Sequence, residues 1–340
     1  MFSIKVEDLV CRWLIELYRD VAPERIVKIA RPDGAMPVSV VHVENVLYLR
    51  GLRAPIVDNI MPAESILNSW HLEFERSRNF LIQEDFYREP FEYIYSDKEV
   101  CILSNLYSEN FFHWLTEEAI RVLVMEKAGF SGHYVVRGGF VPQCMEMLGI
   151  AQERVIEAPE RPTVFRSGWF ATAISADDIP LYPDLFLDLR ARLIAASTRS
   201  RLDYGARMWI DRDDKNVENA GRELINKDEA YPLLERYDFH ILDMAKLPVV
   251  DQIAVASRAS IIGGTHGAGF VHVLFMKEKS RVIECFTPNL INSGIVDICR
   301  LLRHRYAMVV PNNAYGSYPF GMQLKLDVRQ LELILQGLDL

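Results

Sequence analysis

Residues 261–270 read Ile-Ile-Gly-Gly-Thr-His-Gly-Ala-Gly-Phe. The apolar start of this stretch is typical of a buried strand, and the apolar residues behind the glycines are typical of a helix. A strand that turns through glycines into a helix points several backbone N–H groups at one place, where the helix dipole favours an anion. Glycine also lets the backbone approach a phosphate closely. The stretch therefore predicts either a phosphate site or a plain tight turn, and it matches neither G-x-G-x-x-G nor the P-loop.

Strands and helices alternate on both sides of this turn. The predicted C-terminal elements are strand 207–210, a helix from 218 to 226 and beyond, strand 240–242, helix 250–257, strand 260–263, helix 268–276, strand 282–286, helix 291–302 and strand 306–310. Short strands joined by helices predict a parallel sheet covered on both faces, which is the doubly wound arrangement. The fold class that follows is α/β.

The N-terminal part shows a similar but less regular alternation. Its predicted elements are an amphipathic helix at 4–20, paired strands at 38–57, strand 99–104, helix 111–127, strand 133–136, helix 142–148, strand 155–156 and helix 184–196. A chain of 340 residues exceeds the size at which one core stops growing, so we expect two domains. The polar segment before residue 205 places their boundary near residue 200, giving domains 1–200 and 201–322. A last helix within 323–340 is expected to fold back across that boundary.

Charge and composition limit the classes of partner. The formal net charge is -9 and the pI is near 5.5, which argues against a nucleic-acid binder. The five cysteines are odd in number and scattered, which indicates a reducing compartment. Charges interrupt the apolar residues at the N-terminus, so we predict neither a signal peptide nor a membrane span. The expected location is cytoplasmic, with at most peripheral contact at the inner face of a membrane.

The run from Met208 to Glu284 resembles the C-terminal half of glycosyltransferase family 61. The segments that carry the resemblance are Trp209-Ile210-Asp211-Arg212, Arg222 with Asn226, Asp251-Gln252-Ile253, Ala259, Thr265-His266-Gly267-Ala268-Gly269, Leu274-Phe275 and Val282-Ile283-Glu284. A second motif, Asn110-Phe111-Phe112-His113-Trp114-Leu115 with the acidic residues and Arg121 that follow, resembles the family's Asn-x-x-His-Trp-Leu segment.

The chain also departs from the family's pattern. Asp211 stands where the family usually has Ser, and Lys227 stands where Glu is usual. Ile120 replaces a Pro, and the segment that ends in His272 replaces Leu-Thr-Asn. The first two departures fall on the segments expected to bind the donor.

The resemblance implies a GT-B-like arrangement, in which two Rossmann-like domains face each other across a cleft. It implies inverting, metal-independent transfer of a sugar from a nucleotide-sugar donor to a glycan or glycolipid acceptor, with no cofactor. Uridine diphosphate is the implied leaving group, and surface polysaccharide synthesis is the implied role. Domain 1–200 would hold the acceptor, and domain 201–322 would hold the donor.

His113 and Glu117 are the candidate catalytic residues. Four residues apart on a helix, they project from one face. Inverting transfer needs a base that takes the acceptor proton. Because Glu117 matches the family's acidic position, the interpretation favours Glu117 as the base and His113 as the residue that orients it or the substrate. The resemblance gives Asn110 and Arg121 roles in acceptor binding or structural support.

The donor side is expected to use residues at the ends of the C-terminal strands. Arg212 could grip the leaving diphosphate through paired hydrogen bonds, and Glu284 could receive ribose hydroxyls. The full set of candidate nucleotide-sugar-binding residues is Arg212, Asn226, Gly264, Thr265, His266, Gly267, Ala268, Gly269 and Glu284.

Three alternatives remain open on the sequence. Asp211-Arg212-Asp213 spells the Asp-x-Asp motif of metal-dependent glycosyltransferases. The pair His113 and Glu117, or His266 with His272, could be ligands in a metal hydrolase. The protein could also be a sugar-nucleotide or glycan-binding module without turnover.

Overall fold

A computed structural model describes residues 26–29, 37–49, 54–57, 93–103, 107–212, 224–286, 293–310 and 324–338. The helix predicted at residues 4–20 lies outside these ranges, as do Arg222 and Asp213. The chain divides into two compact units between Leu189 and Arg190, inside a helix and about ten residues before the predicted boundary.

The first unit is built on a mixed sheet. Its strands are β1 (Ile26–Ile29), β2 (Val38–Leu49), β3 (Ala54–Ile56), β4 (Ile94–Leu103), β5 (His133–Val136), β6 (Val155–Glu157) and β7 (Thr163–Ala171). The strand order is β1-β2-β7-β4-β5-β6, with β3 also paired to β2. The strands from β7 through β4 and β5 to β6 are parallel, whereas β1, β3 and β7 all run antiparallel to β2.

Only part of this sheet was predicted. Strand β7 was missed because Arg166, Ser167 and Gly168 interrupt its apolar residues. Its remaining residues nevertheless lie at the centre of the sheet, and Phe165 and Phe170 pack in its apolar core. The strand pairing expected within residues 38–57 is present as the antiparallel pair of β2 and β3, and β1 and β7 also pair antiparallel with β2.

The helix predicted at residues 111–127 is present but is not α-helical throughout. Helix α1 (Phe111–His113) continues as a π-helical segment (Trp114–Glu118) and then as α2 (Ala119–Lys127). The Thr116 hydroxyl donates to the carbonyl of Phe112 at 2.8 Å, and the Ala119 N–H bonds to the carbonyl of Trp114. Such π-helical turns occur frequently at functional sites. The other α-helices described in this unit are α3 (Val141–Met147) and α4 (Pro183–Ser197), the second of which crosses the division between the units.

The second unit holds a parallel five-stranded sheet, as predicted. Its strands are β8 (Arg207–Ile210), β9 (His240–Leu242), β10 (Ile261–Thr265), β11 (Arg281–Cys285) and β12 (Arg305–Val309). Their order is β12-β11-β10-β8-β9, so the direction of winding reverses between β8 and β10. This is the strand order of one of the two common doubly wound sheets. The described residues thus form a mixed α/β protein with parallel sheets.

The described helices of the second unit are α5 (Lys227–Arg236), α6 (Val249–Arg258), α7 (Gly294–Leu301) and α8 (Val328–Leu338), with 3-10 helices at Met244–Lys246 and Ala268–Phe275. Leu233 from α5 and Leu331 and Leu335 from α8 share one apolar cluster with Trp209 of β8. The last helix therefore packs on the sheet of the second unit. No helix among the described residues is both long and apolar enough to cross a membrane.

Candidate functional site

The carboxyl edge of the second sheet brings together the two segments that the sequence singled out for donor binding. Strand β8 ends at Ile210 and leads into Arg212, and the adjacent strand β10 ends at Thr265 and leads into His266. The winding reverses between these two strands, which is where open α/β sheets bind their ligands. Thr265 is buried, whereas residues 266–269 are partly exposed at the edge.

The glycines of the turn are required first of all by packing. A side chain at Gly263 would collide with the ring of Trp209, and one at Gly264 would come within 2.5 Å of the Ile210 carbonyl. At Gly267, a Cβ atom would overlap the guanidinium of Arg212. The absence of side chains thus lets β10 lie close to β8 and places Arg212 against the turn.

The turn opens a helix, but the helix is 3-10 and not α. Its first internal hydrogen bond runs from the Phe270 N–H to the Gly267 carbonyl at 2.9 Å. The N–H groups of Gly267, Ala268 and Gly269 precede that bond and lie at the amino end of the helix. Groups in this position can donate to an anion, as the glycine-rich sequence predicts. The N–H of His266, in contrast, bonds to the Cys285 carbonyl at 2.8 Å.

His266 is held by a buried carboxylate. Its Nδ1 donates to Oε1 of Glu284 at 2.6 Å, and its ring stacks on Phe286 with centroids 4.6 Å apart. The other oxygen of Glu284 accepts from the Tyr306 hydroxyl at 2.7 Å. Burial, together with the Glu284 charge, raises the pKa of Tyr306, so the phenol stays a donor. Because the Glu284 side chain is 0% exposed, the structure places it behind His266 and not where a ribose would reach it.

Asn226 forms hydrogen bonds to the backbone of the segment that precedes α8. Its Nδ2 donates to the Leu326 carbonyl and its Oδ1 accepts from the Leu326 N–H, both at 3.0 Å. The side chain is buried, and its main partners are two backbone groups one hundred residues away. The structure therefore gives Asn226 a role in joining two parts of the chain, whereas the sequence grouped it with the donor-binding residues.

Gln252 and His272 support the glycine turn from within. Nδ1 of His272 donates to the Gly269 carbonyl at 2.6 Å, and Nε2 lies 2.9 Å from Oε1 of the Gln252 side-chain amide. That amide also bonds to the Leu247 carbonyl at 2.7 Å, next to α6. Burial lowers the pKa of His272 from 6.5 to about 4. His272 is therefore held as a neutral ring whose N–H on Nδ1 supports the turn.

The buried His272 makes the stability of the protein depend on pH. Its pKa is lower in the folded state than in the unfolded state, so its contribution is complete above pH 6.5 and is lost as the pH falls towards 4. That difference corresponds to about 3 kcal/mol. We expect His272→Asn to unfold in urea with a free energy that falls less over this interval than that of the parent protein. Equal losses in the two proteins would contradict this assignment.

The first unit presents the second histidine–glutamate pair. Nδ1 of His113 lies 2.8 Å from Oε1 of Glu117, and the side chains are 28% and 2% exposed respectively. Oε2 of Glu117 is buried and has no hydrogen-bond partner among the residues that the structure describes. The His113 ring stacks on Tyr107 at 4.8 Å. The spacing of the pair was predicted correctly, but the histidine, and not the carboxylate, faces outward.

The neighbouring motif residues hold this helix in place. The Asn110 side chain caps α1 by accepting from the N–H groups of Phe112 and His113. Arg121 lies 3.2 Å from Glu118 in a buried ion pair and donates to the Ile102 carbonyl at the end of β4. The contacts thus give Asn110 and Arg121 the supporting role, which was one of the two expected for them.

Asp211 is engaged by a lysine. The ammonium of Lys227 lies 2.8 Å from one carboxylate oxygen and 2.9 Å from the other. A cation bound by Asp211 would have to displace this ammonium, and Asp213 lies outside the described residues. Within the described ranges, no group of three or more His, Cys, Asp or Glu side chains could hold a metal ion.

Four partners of the site were not found from the sequence. They are Tyr306, Phe286, Tyr107 and, as the partner of Asp211, Lys227. The residue at 227 was noticed only as a departure from a family pattern. Strand alternation would have put Tyr306 on the face of Glu284 only if the register of β11 with β12 had been known.

Comparison with known proteins agrees with this geometry. The glycosyltransferase 61 family model matches residues 111–283, slightly more than half of the chain, and includes both histidine segments. The chain is also 33% identical over 112 residues to the EGF domain-specific O-linked N-acetylglucosamine transferase of Drosophila melanogaster. That match covers 29% of this chain and 21% of the relative, so the chain spans about a fifth of that protein. On the extent of the family match, this chain belongs to the glycosyltransferase 61 family.

Proposed function

We propose that this protein transfers a sugar from a nucleoside diphosphate sugar to an acceptor hydroxyl with inversion at the anomeric carbon. The observation that carries the proposal is that the Arg212 guanidinium lies against the His266–Gly269 turn. This contact lies at the point where the winding of the second sheet reverses. A guanidinium, an imidazole and the N–H groups at a helix terminus are all donors suited to a diphosphate. The donor therefore binds the second unit, and Arg212 stabilises the negative charge of the leaving group.

His113 acts as the base in this proposal, and Glu117 positions it. With Nδ1–H donated to Glu117, the neutral ring keeps the lone pair of Nε2 for the acceptor proton. The carboxylate then stabilises the imidazolium that forms. Glu117 is too deeply buried to meet an acceptor hydroxyl itself. The roles are thus the reverse of those suggested by the motif alone.

The two units must present His113 and the glycine turn to one donor–acceptor pair. This requirement is met by the GT-B arrangement that the family resemblance implies, and we adopt that arrangement as part of the proposal. Uridine diphosphate is the proposed leaving group, and the acceptor is a glycan or glycolipid of a surface polysaccharide. Because the Drosophila relative is named as an N-acetylglucosamine transferase, UDP-N-acetylglucosamine is the first donor to test.

Turnover is expected to continue in excess EDTA. The reason is that Lys227 already occupies the carboxylate that an Asp-x-Asp metal would need, while Arg212 supplies charge to the diphosphate. The measurement is the release of UDP from UDP-N-acetylglucosamine and other UDP-sugars, each with a panel of acceptor glycans and with or without the chelator.

Two results would contradict the proposal. Loss of UDP release in EDTA, with recovery on adding Mn²⁺ or Mg²⁺, would show that transfer depends on a metal. Tight binding of a UDP-sugar without acceptor-dependent release of UDP from any donor in the panel would indicate a binding module.

A further inference from the structure

Lys227 occupies an unusual position for a lysine. It is the first residue of α5, where the positive end of the helix dipole disfavours a cation. The two residues that follow, Asp228 and Glu229, are acidic, as this end of a helix prefers. The helix itself therefore gives no electrostatic reason for a lysine at this position, and the reason has to be sought in what its ammonium contacts.

The ammonium is directed at the edge of the sheet beside the proposed donor site. Besides both oxygens of Asp211, it reaches the backbone carbonyl of Arg212 at 3.5 Å. The side chains of Lys227 and Asp211 are 33% and 20% exposed, so the pair is partly shielded from water. Lys227 thus contacts both residues that follow β8.

Asp211 is held in its charged form. Burial by itself raises the pKa of this carboxyl. Hydrogen bonds from Lys227, from the Tyr231 hydroxyl and from the Arg212 N–H, together with the charge of Lys227, outweigh burial and bring the pKa below its ordinary value. A carboxylate next to Arg212 would repel a diphosphate if nothing neutralised it. The separation of neighbouring residues is well within the screening length of about 8–10 Å at physiological salt.

We propose that Lys227 is a positioning and charge-compensating residue of the donor site. Its ammonium neutralises the negative charge of Asp211, so that a diphosphate can bind beside Arg212 without repulsion. The two departures from the family pattern are then one feature, because the substituted residues bond to each other. The inference rests on the proposed function, since it assumes that the anion bound at this edge is the donor's diphosphate.

The test is a double-mutant cycle read out as UDP affinity by calorimetry at low and high ionic strength. Lys227→Met should weaken UDP binding by about tenfold or more at low salt, because it leaves Asp211 uncompensated. Asp211→Asn should leave the affinity unchanged or increase it. The double variant should bind within about threefold of the parent, and the loss in Lys227→Met should shrink as salt screens the carboxylate.

A purely structural role predicts a different pattern. If the pair only tied α5 to β8, either single change would lower the melting temperature and the UDP affinity together, and the double variant would show no rescue. That pattern would overturn the proposal, as would normal UDP binding by Lys227→Met. A folded Lys227→Met variant with weak binding, rescued by Asp211→Asn, is the result expected.

Failure of the proposed function would look different again. In that case the parent protein itself would bind neither UDP nor inorganic pyrophosphate, whatever residue stands at 227. If the parent binds UDP but Asp211→Asn does not rescue binding in Lys227→Met, only the inference about Lys227 is refuted. The parent could instead bind pyrophosphate but not UDP, with Asp211→Asn rescuing pyrophosphate binding in Lys227→Met. That result would support an anion site at this edge and refute the proposal that its ligand is a nucleotide.

Discussion

Replacing His113 with Ala is expected to lower the turnover number by about 10²–10⁴-fold, the usual worth of general-base assistance. The affinity for UDP should be nearly unchanged, because the donor-binding residues belong to the other unit. Glu117→Gln should cost less, since an amide oxygen can still accept from Nδ1 and hold the ring. The measurement is steady-state kinetics for both variants, with UDP affinity as the check on folding.

The choice of control depends on the fold. Glu118, the acidic neighbour of Glu117 on another side of the helix, is not a suitable control. It is buried in an ion pair with Arg121, and breaking a pair of this kind costs about 3–5 kcal/mol of stability. His240→Ala is a better match, because this histidine is exposed at the start of β9 in the second unit. Near-normal turnover in folded His113→Ala, with a large loss in Glu117→Gln, would make the carboxylate the base.

Arg212→Ala is expected to weaken UDP binding by about 10–100-fold, which corresponds to the loss of one or two charge-assisted hydrogen bonds. Arg212→Lys should recover only part of this affinity, because an ammonium cannot form the paired hydrogen bonds of a guanidinium. Arg305→Ala is the matched control. Arg305 is an exposed arginine at the amino end of β12, on the opposite edge of the same sheet.

Gly267→Ala tests the same contact from the other side. The backbone of Gly267 is extended, with φ of 168°, so alanine is allowed there without strain. Its methyl group would meet only the flexible end of Arg212 and would push the guanidinium away from the turn. We expect a stable protein with UDP affinity reduced towards that of Arg212→Ala. Unchanged calorimetric affinity in both variants would remove Arg212 from the donor site.

Several parts of the fold followed from local sequence patterns alone. The bounds of the five strands of the second unit were predicted to within a residue or two. Each strand is a short apolar run between two segments of helical periodicity, a pattern that is typical of a buried strand. The glycine turn was recognised because only glycines allow such close backbone approach. Strand β7, with its polar centre, shows where this reasoning fails: its place in the sheet comes from pairing with β2 and β4.

The site was predicted as a set of residues, and the roles of several came only with the structure. Spacing on one helix was enough to pair His113 with Glu117. Which of the two faces outward depends on what the helix packs against, and the helix contains a π-helical segment with no evident mark in its sequence. Glu284 was correctly placed at the end of a strand, but its partner Tyr306 comes from a strand more than twenty residues later.

The sequence by itself determined the α/β class, the parallel second sheet and the residues gathered near its carboxyl edge, because these depend on local periodicity and on glycine. Tertiary structure alone decided which strands are neighbours, which carboxylates are buried and which charges cancel. The Lys227–Asp211 pair spans sixteen residues and the Asn226–Leu326 hydrogen bonds span one hundred. Contacts over such separations are fixed by the packing of whole helices and strands, so local sequence patterns do not predict them.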